Sequence, residues 1–569
     1  MDYTKAQAKQ EALLALKKAI GKEADQPTIE MLETPPDSSL GDLAFPCFKM
    51  AKAMGRSPME LAVELSAKIG PTELLAGAKA VGPYVNFVFN AESYTERVLK
   101  MISVAAEKYG ASKHGEGKRV VIDYANMNTH KEFHIGHTRN VLLGQALANI
   151  FEANGFDVVP ASYIGDIGAH VAKVIWAIQK FYKDEEIPVE DRAVRLGQIY
   201  TEATKKIEEK PEYKEEVDAV QRKLEAKEEP EYSLWKETRE WSLVQFKEIF
   251  AELHATPSVW YFESQVEEPG KEIVKELLQK GIAKKSEGAT IIDLEDEDLG
   301  VFLVLKSDGS SLYSTKDLAL AYKKREDYGQ ARQIFVVDNR QSLHFKQLFA
   351  TLTRMGFTGN MKHVAYDMVV LEDGAMSSRK GNIVLYRDAK QDMMDHVRAE
   401  TLKRHEDWSE KQVADVAEKL AHAAIAFTML KQDANSTITF NPEEAISVEG
   451  FTGPYIQYTI ARIHGIFAKA TEKPELNAKL LTHHKEIEIA KKLADYPELL
   501  LDAAMECAPA MLAIYAFELA KLFAEYYHDA KILSEDADLT RARLMLLQSI
   551  LQVLENACEL LTIEPVKNM

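Results

Sequence analysis

The sequence predicts a multidomain α/β protein: a doubly wound parallel-sheet domain, preceded by an α+β unit and followed by an all-α bundle. Three observations predict this. At 569 residues the chain is too long for one hydrophobic core. A strand–loop–helix–strand series runs from KRVVIDYA through TRNVLLGQALANIFEANG to FDVVPASYIGD, which is a βαβ unit. Beyond residue 388 the apolar period is helical almost to the end.

Residues 1–112 form the first unit. Helices are expected at 3–20 and in SPMELAVELSAKI, with a turn-rich TPPDSSLGDLAFPCF between them. VGPYVNFVFN alternates like a strand and closes the unit. A helix near 91–109 leads into the polar connector ASKHGEGK. The sheet domain spans 113–387, and its first helix stops at Gly155. Residues of about 181–250 are highly charged and helical, and read as a solvated insertion. ATIIDL, GVFLVLKS, RQIFVVD and HVAYDMVVL then read as strands that resume the same sheet. Residues 388–445 form a helical connecting region and 446–569 a terminal helical domain.

Composition limits the function. The net charge of −19 argues against a protein that coats nucleic acid nonspecifically, but not against one with local basic patches. No apolar run reaches the roughly 18 residues of a membrane span. MDYTKAQAKQEALLALKKAI is a charged amphipathic helix rather than a signal peptide, so a cytoplasmic protein without a membrane partner is expected. Cys47, Cys507 and Cys558 are odd in number, far apart and form no CxxC pair. Neither a disulfide framework nor a zinc site is expected, and no residue is assigned to a metal.

Chemistry concentrates in two loops. His134-Ile135-Gly136-His137 sits between a strand and a helix start. Gly136 lets the backbone approach a nucleotide, and the imidazoles and helix N-terminus can donate to phosphate oxygens. Such a site stabilises spreading charge and holds geometry as a carboxylate attacks an α-phosphate. After HVAYDMVVL comes EDGAMSSRKGN, a loop rich in hydroxyls and cations suited to closing over a triphosphate. No dinucleotide fingerprint or P-loop occurs.

The two loops resemble the HIGH and KMSKS motifs of class I aminoacyl-tRNA synthetases. The resemblance implies a Rossmann-like catalytic domain, with His134, Gly136, His137, Met376, Ser377 and Ser378 at ATP, and Arg379 and Lys380 joining the catalytic set. The second loop departs from the motif. Ala375 and Ser378 stand where its lysines would be, and Lys380 is displaced by two places. That departure resembles the arginyl-tRNA synthetase family, some members of which carry a compensating lysine just before HIGH; Lys131 is in that position.

The same resemblance implies a substrate pocket. Asp123 matches the acidic residue ahead of HIGH, and Asn128 the asparagine that holds the substrate main chain. SDGSSLYSTKDLALAY resembles the family's SDGT-x-x-Y-x-x-x-D segment, placing Tyr313 on the guanidinium stem and Asp317 on its charge. Gln341 matches a substrate-contacting glutamine. A guanidinium fork needs anionic, planar acceptors, which these residues supply. GFTGPYIQYTIARIHGI and the C-terminal segment resemble the DALR-type anticodon-binding domain, where Tyr526 and Tyr527 are candidates to stack on bases. Tyr84 and Asn86, in the first unit, are candidates for a further tRNA contact. The implied activity is arginine–tRNA ligation, with tRNA(Arg), L-arginine and the magnesium complex of ATP as partners, in a monomer. The alternatives are another class I synthetase, an HxGH nucleotidyltransferase, and a non-catalytic tRNA-binding paralogue. Missing zinc ligands and the acidic pocket separate the cysteinyl and glutamyl enzymes from this reading. The long helical C-terminus and the complete pocket set separate the other two.

Overall fold

A computed structural model describes residues 3–21, 26–371, 374–375 and 384–569. At its centre lies a five-stranded, wholly parallel sheet. Its spatial order is 361–366, 332–338, 119–123, 157–164 and 259–262. The first strand, Arg119–Asp123, is buried along Val120–Asp123 because helices cover both faces. Chain order reverses between that strand and Arg332–Asp338. The crevice at their carboxyl ends is the switch point at which doubly wound sheets bind ligands.

The helix Ile135–Ala153 follows the first strand, and the chain turns at Gly155, the stop the sequence indicated. Gly155 has φ +81°, and a Cβ there would lie 2.8 Å from the Ser112 carbonyl oxygen, so glycine is required twice over.

Three sequence readings change. ATIIDL and GVFLVLKS do form strands, Ala289–Asp293 and Val301–Leu305, but they join Lys284–Ser286 in a separate antiparallel sheet. HVAYDMVVL divides into Met361–Tyr366, at the edge of the central sheet, and Val369–Leu371, which pairs with Ile438–Thr439 instead. The charged insertion is not merely solvated. Its helices Arg192–Glu209, Tyr213–Glu225 and Glu231–Glu252 close with Ala169–Phe181 around a core that includes Trp176, Leu196, Ile199, Val220 and Trp235.

The N-terminal unit is a three-stranded antiparallel sheet, Leu43–Pro46, Tyr84–Phe89 and Leu75–Val81, with helices that include Thr4–Ile20, Pro58–Lys68 and Ala91–Ala105. It packs on the C-terminal helices. The Tyr109 hydroxyl donates to the Leu493 carbonyl at 3.0 Å, and Lys5 pairs with Asp495 at 2.7 Å. The C-terminal bundle comprises Glu410–Leu430, Gly453–Lys469, His484–Glu506, Pro509–Asp529 and Ala537–Leu560. Among the described residues, no helix is long and apolar enough to cross a membrane.

Candidate active site

The chain leaves the first strand at Asp123 through Ala125 and His130, both with positive φ (57° and 61°), before entering the HIGH helix. Left-handed backbone at non-glycine residues persists only where surroundings hold it. Here the hold is extensive. The Ala125 carbonyl accepts from Ser162 at 2.8 Å. The fully buried His130 ring bonds Thr129 and Thr238 at 2.9 and 2.8 Å, and its backbone N–H donates to Ser242 at 3.0 Å. Thr238 and Ser242 belong to the inserted helix Glu231–Glu252, so the insertion buttresses the loop.

His134 caps the HIGH helix and stacks on His137, with ring centroids 3.6 Å apart. The His134 backbone N–H donates to His137 Nδ1 at 3.2 Å, which leaves the His137 proton on Nε2. Burial, then the nearby Lys131 charge, pulls His134 down to about 4. Burial and His134 hold His137 well below the ordinary imidazole range. Both rings are neutral at pH 7 and can act as hydrogen-bond donors without carrying charge. Lys131 lies with its ammonium 5.2 Å from the centre of the Tyr200 ring, from which the Lys173 ammonium is 4.7 Å away. Burial and then Lys173 lower its pKa, so a bound anion would be favoured there.

The second loop's Met376, Ser377, Ser378, Arg379 and Lys380 lie outside the described residues. The chain that follows them returns to the HIGH loop: Leu385 bridges to His134, Ile135 N–H donates to Val384 at 3.0 Å and Tyr386 N–H to Phe133 at 3.2 Å. Arg139, fully buried on the HIGH helix, donates to the carbonyls of Asp367, Ser436 and Asp433 at 2.6, 2.8 and 3.1 Å. The chain on either side of the second loop, at Asp367 and at Val384–Tyr386, is therefore tied to the HIGH helix and its approach.

At the switch point, a cavity of about 220 Å³ brings together Asp123, Asn128, Tyr313, Asp317 and Gln341, the five pocket residues named from the sequence. Its apolar floor includes Leu320, Phe335 and Leu348. Tyr313 stands at the mouth, 73% exposed, one turn before Asp317 on the helix Tyr313–Tyr328. Asp123 is buried; one of its oxygens pairs with the buried Lys324, and the other has no partner among the described residues. Asn128 bridges to Gly165, and a Cβ on Gly165 would come within 2.2 Å of the Asn128 side-chain oxygen.

Glu263 and Tyr163 are among the lining residues that escaped the sequence reading. Glu263 opens the helix Glu263–Gln279 and pairs with Lys316 at 3.0 Å. Burial raises its pKa against the opposing pull of Lys316. Tyr163 has a buried hydroxyl without a partner among the described residues, held neutral far above the ordinary phenol range by burial and the surrounding carboxylates. Neither lies in a motif. Both arrive through pairing of Asp157–Ile164 with Val259–Phe262.

Residues 98–441 match the family described as tRNA synthetases class I (R), catalytic domain. Residues 7–89 match the arginyl tRNA synthetase N terminal domain and 456–569 the DALR anticodon binding domain. The chain is 37% identical to the arginine–tRNA ligase of Bdellovibrio bacteriovorus over 564 residues, covering 96% of each. It belongs to the arginyl-tRNA synthetase family. The arginine–tRNA ligase of Halothermothrix orenii is 32% identical over 95% of both chains. The structure superposes on the Thermus thermophilus arginyl-tRNA synthetase with TM-score 0.82, 25% identity and 99% of both chains covered. The same fold is seen in the Plasmodium falciparum arginyl-tRNA synthetase, at TM-score 0.80 and 21% identity over 99% and 98% of the two chains.

Within this synthetase fold the four candidate RNA contacts divide. Asn86 is buried, with its amide donating to the Leu40 carbonyl at 2.8 Å, so it braces the N-terminal unit and is not a base contact. Tyr526 is fully buried, donating to Glu486 at 2.7 Å, and cannot stack on RNA. Tyr84 is half-buried against the edge of Phe48, and Tyr527 is 42% exposed. Tyr527 borders a surface hollow with Tyr458, Arg462, Lys469 and Lys531, where the Arg462 guanidinium lies 4.5 Å from the Tyr458 ring and 5.4 Å from that of Tyr527.

Proposed function

We propose that this synthetase activates L-arginine with ATP to arginyl-adenylate and transfers the arginyl group to the 3′ end of tRNA(Arg), releasing diphosphate and then AMP. One observation carries the reading. Three carboxylates, Asp123, Glu263 and Asp317, converge with Asn128 and Gln341 in a cavity at the switch point, beside the HIGH loop. That set suits a guanidinium at one end and an amino acid's main-chain groups at the other.

In the first step a carboxylate oxygen of arginine attacks the α-phosphorus of ATP, and the bond to diphosphate breaks. Charge accumulates on phosphate oxygens, so the chain's task is donation and alignment. Neutral His134 and His137 donate N–H groups, with Gly136 allowing close backbone approach, and Lys131 supplies the positive charge. Ser377, Ser378, Arg379 and Lys380 act on the same phosphates, and Met376 contributes to the ATP site. Magnesium enters with ATP, coordinated mainly by phosphates and water. Glu263 and Asp317 hold the guanidinium, Tyr313 covers its stem, and Asn128 and Gln341 take the amino and carboxylate end. In the second step a terminal hydroxyl of tRNA attacks the carbonyl carbon and AMP leaves.

For RNA, the hollow of Tyr458, Arg462 and Tyr527 suits an unstacked base, with Lys469 and Lys531 for the backbone. Tyr84 serves the N-terminal contact. The domain limits proposed are 1–112, 113–387, 388–445 and 446–569, and the working form is a cytoplasmic monomer. Exchange of labelled diphosphate into ATP, run with each amino acid and with and without tRNA, tests the activity. Arginine-specific exchange in the presence of tRNA is expected; exchange with a different amino acid, or none under any condition, overturns it.

A further inference from the structure

We infer that His344 is a positioning residue for arginine selection, acting through Asp317; the inference rests on the arginine-pocket reading above. His344 Nε2 lies 2.6 Å from Asp317 Oδ2, across two helices that meet only through tertiary packing, Tyr313–Tyr328 and Ser342–Arg354. The imidazole is itself fixed. Phe302 meets it edge-on at 5.5 Å and Phe345 at 5.6 Å, nearly perpendicular. Phe345 in turn stacks on His363 at 4.4 Å, whose Nε2 bonds the Val337 carbonyl at 2.9 Å. An unbroken set of contacts thus runs from a central strand to one carboxylate oxygen.

The terminal torsion of an aspartate is soft, so a carboxylate held only by its stem rotates through a broad range. A guanidinium recognises a carboxylate edge-on, through two parallel hydrogen bonds in a common plane. His344 donates to one oxygen and thereby sets that plane, leaving the second oxygen and the remaining lone pair of the first for the ligand. Lys316 restrains Glu263 in the same cavity at 3.0 Å, but a lysine ammonium is a rotatable point charge and imposes no plane. Planar selection therefore falls to the Asp317–His344 pair. A ligand with a compact ammonium in place of the guanidinium needs the charge of Asp317 but not its orientation.

This gives a test that a merely structural role would not pass. His344→Ala, His344→Gln and His344→Asn are compared with the full-length enzyme in tRNA aminoacylation. Glutamine returns a donor near the position of Nε2; asparagine does not reach it. The alanine variant is expected to raise the arginine KM roughly tenfold, the scale of one charge-assisted hydrogen bond. kcat and the ATP KM should stay within about twofold, and the concentration of added lysine needed to compete with arginine should match the parent's. The glutamine variant should recover most of the loss and the asparagine variant little. An unchanged arginine KM in His344→Ala, an equal loss of lysine inhibition, or no difference between glutamine and asparagine overturns the inference. Asp317→Ala separates the two levels. If it raises the arginine KM while His344→Ala does not, only the positioning role fails. If Asp317→Ala leaves the arginine KM unchanged, the pocket assignment fails and the positioning role with it.

Discussion

Glu263→Gln is the sharpest probe of the pocket, because it removes a charge and almost nothing else. The side chain is 11% exposed, lines the cavity and faces Lys316, itself 13% exposed. A hydrogen bond to a charged group contributes about 1.5–3 kcal/mol, and about 1.4 kcal/mol is a tenfold change in affinity. The amide oxygen of glutamine still accepts one bond, so the lower half of that range applies: a rise of roughly tenfold to thirtyfold in the arginine KM. The loss falls equally on ground and transition states, so kcat should hold. Lys316 loses its direct partner but keeps the field of Glu267, and stability should fall by about 1–2 kcal/mol. Steady-state aminoacylation with arginine varied at saturating ATP and tRNA measures the first effect, and thermal melting the second. An arginine KM within twofold of the parent would show that Glu263 does not meet the guanidinium.

Four further outcomes are expected. Gly165→Ala should raise the arginine KM at least about tenfold with little change in ATP affinity, because its Cβ would displace the Asn128 side chain; equal losses for both substrates in aminoacylation would contradict this. His130 and His170 are drawn down to about 3 and His134 and His422 to about 4, each chiefly by burial. These folded-state values lie below the unfolded value near 6.5. The unfolded chain therefore binds protons first, so stability is full above pH 6.5 and falls between pH 6.5 and about 3. The buried His130 and His422 each cost about 1 kcal/mol by pH 5.5, and a melting temperature flat from pH 7 to 5 would refute their neutrality. Tyr527→Ala should weaken tRNA binding several-fold in a filter-binding assay without shifting the melting temperature. Tyr526→Phe should do the reverse by breaking the bond to Glu486.

The contrast between those two tyrosines shows what the sequence leaves open. Adjacent residues on a helix point about 100° apart, and in a helix as apolar as Pro509–Asp529 either could face inward. Only the position of Glu486 on a neighbouring helix settles it. Asn86 fails similarly: YVNFVF alternates, yet three successive residues, Val85 to Phe87, are buried because both faces of this strand are covered. The strands ATIIDL and GVFLVLKS were legible as strands from their composition, but pairing depends on partners that periodicity does not name. The HIGH loop was legible as a short motif, and the five pocket residues came from the resemblance of short segments to a known family; the structure brings those five together around one cavity. Glu263 could not, since it follows a four-residue strand and its neighbours in space lie far along the chain. His344 was invisible for the same reason, being one histidine in an amphipathic helix.

The inserted helix Glu231–Glu252 touches more than the HIGH loop. Its Trp235 donates to the backbone carbonyl of Asp166 at 2.7 Å, and its Arg239 to the buried Asp166 carboxylate at 2.8 Å. The same carboxylate accepts from the Ser264 N–H and hydroxyl at 2.9 and 2.7 Å, next to Glu263. One helix thus grips the HIGH loop through His130 and the proposed amino-acid pocket through Asp166. A tilt of that helix cannot retune one substrate's affinity and spare the other. The insertion is accordingly a shared keel of the two sites, and a chain shortened by excising it would lose both substrates together.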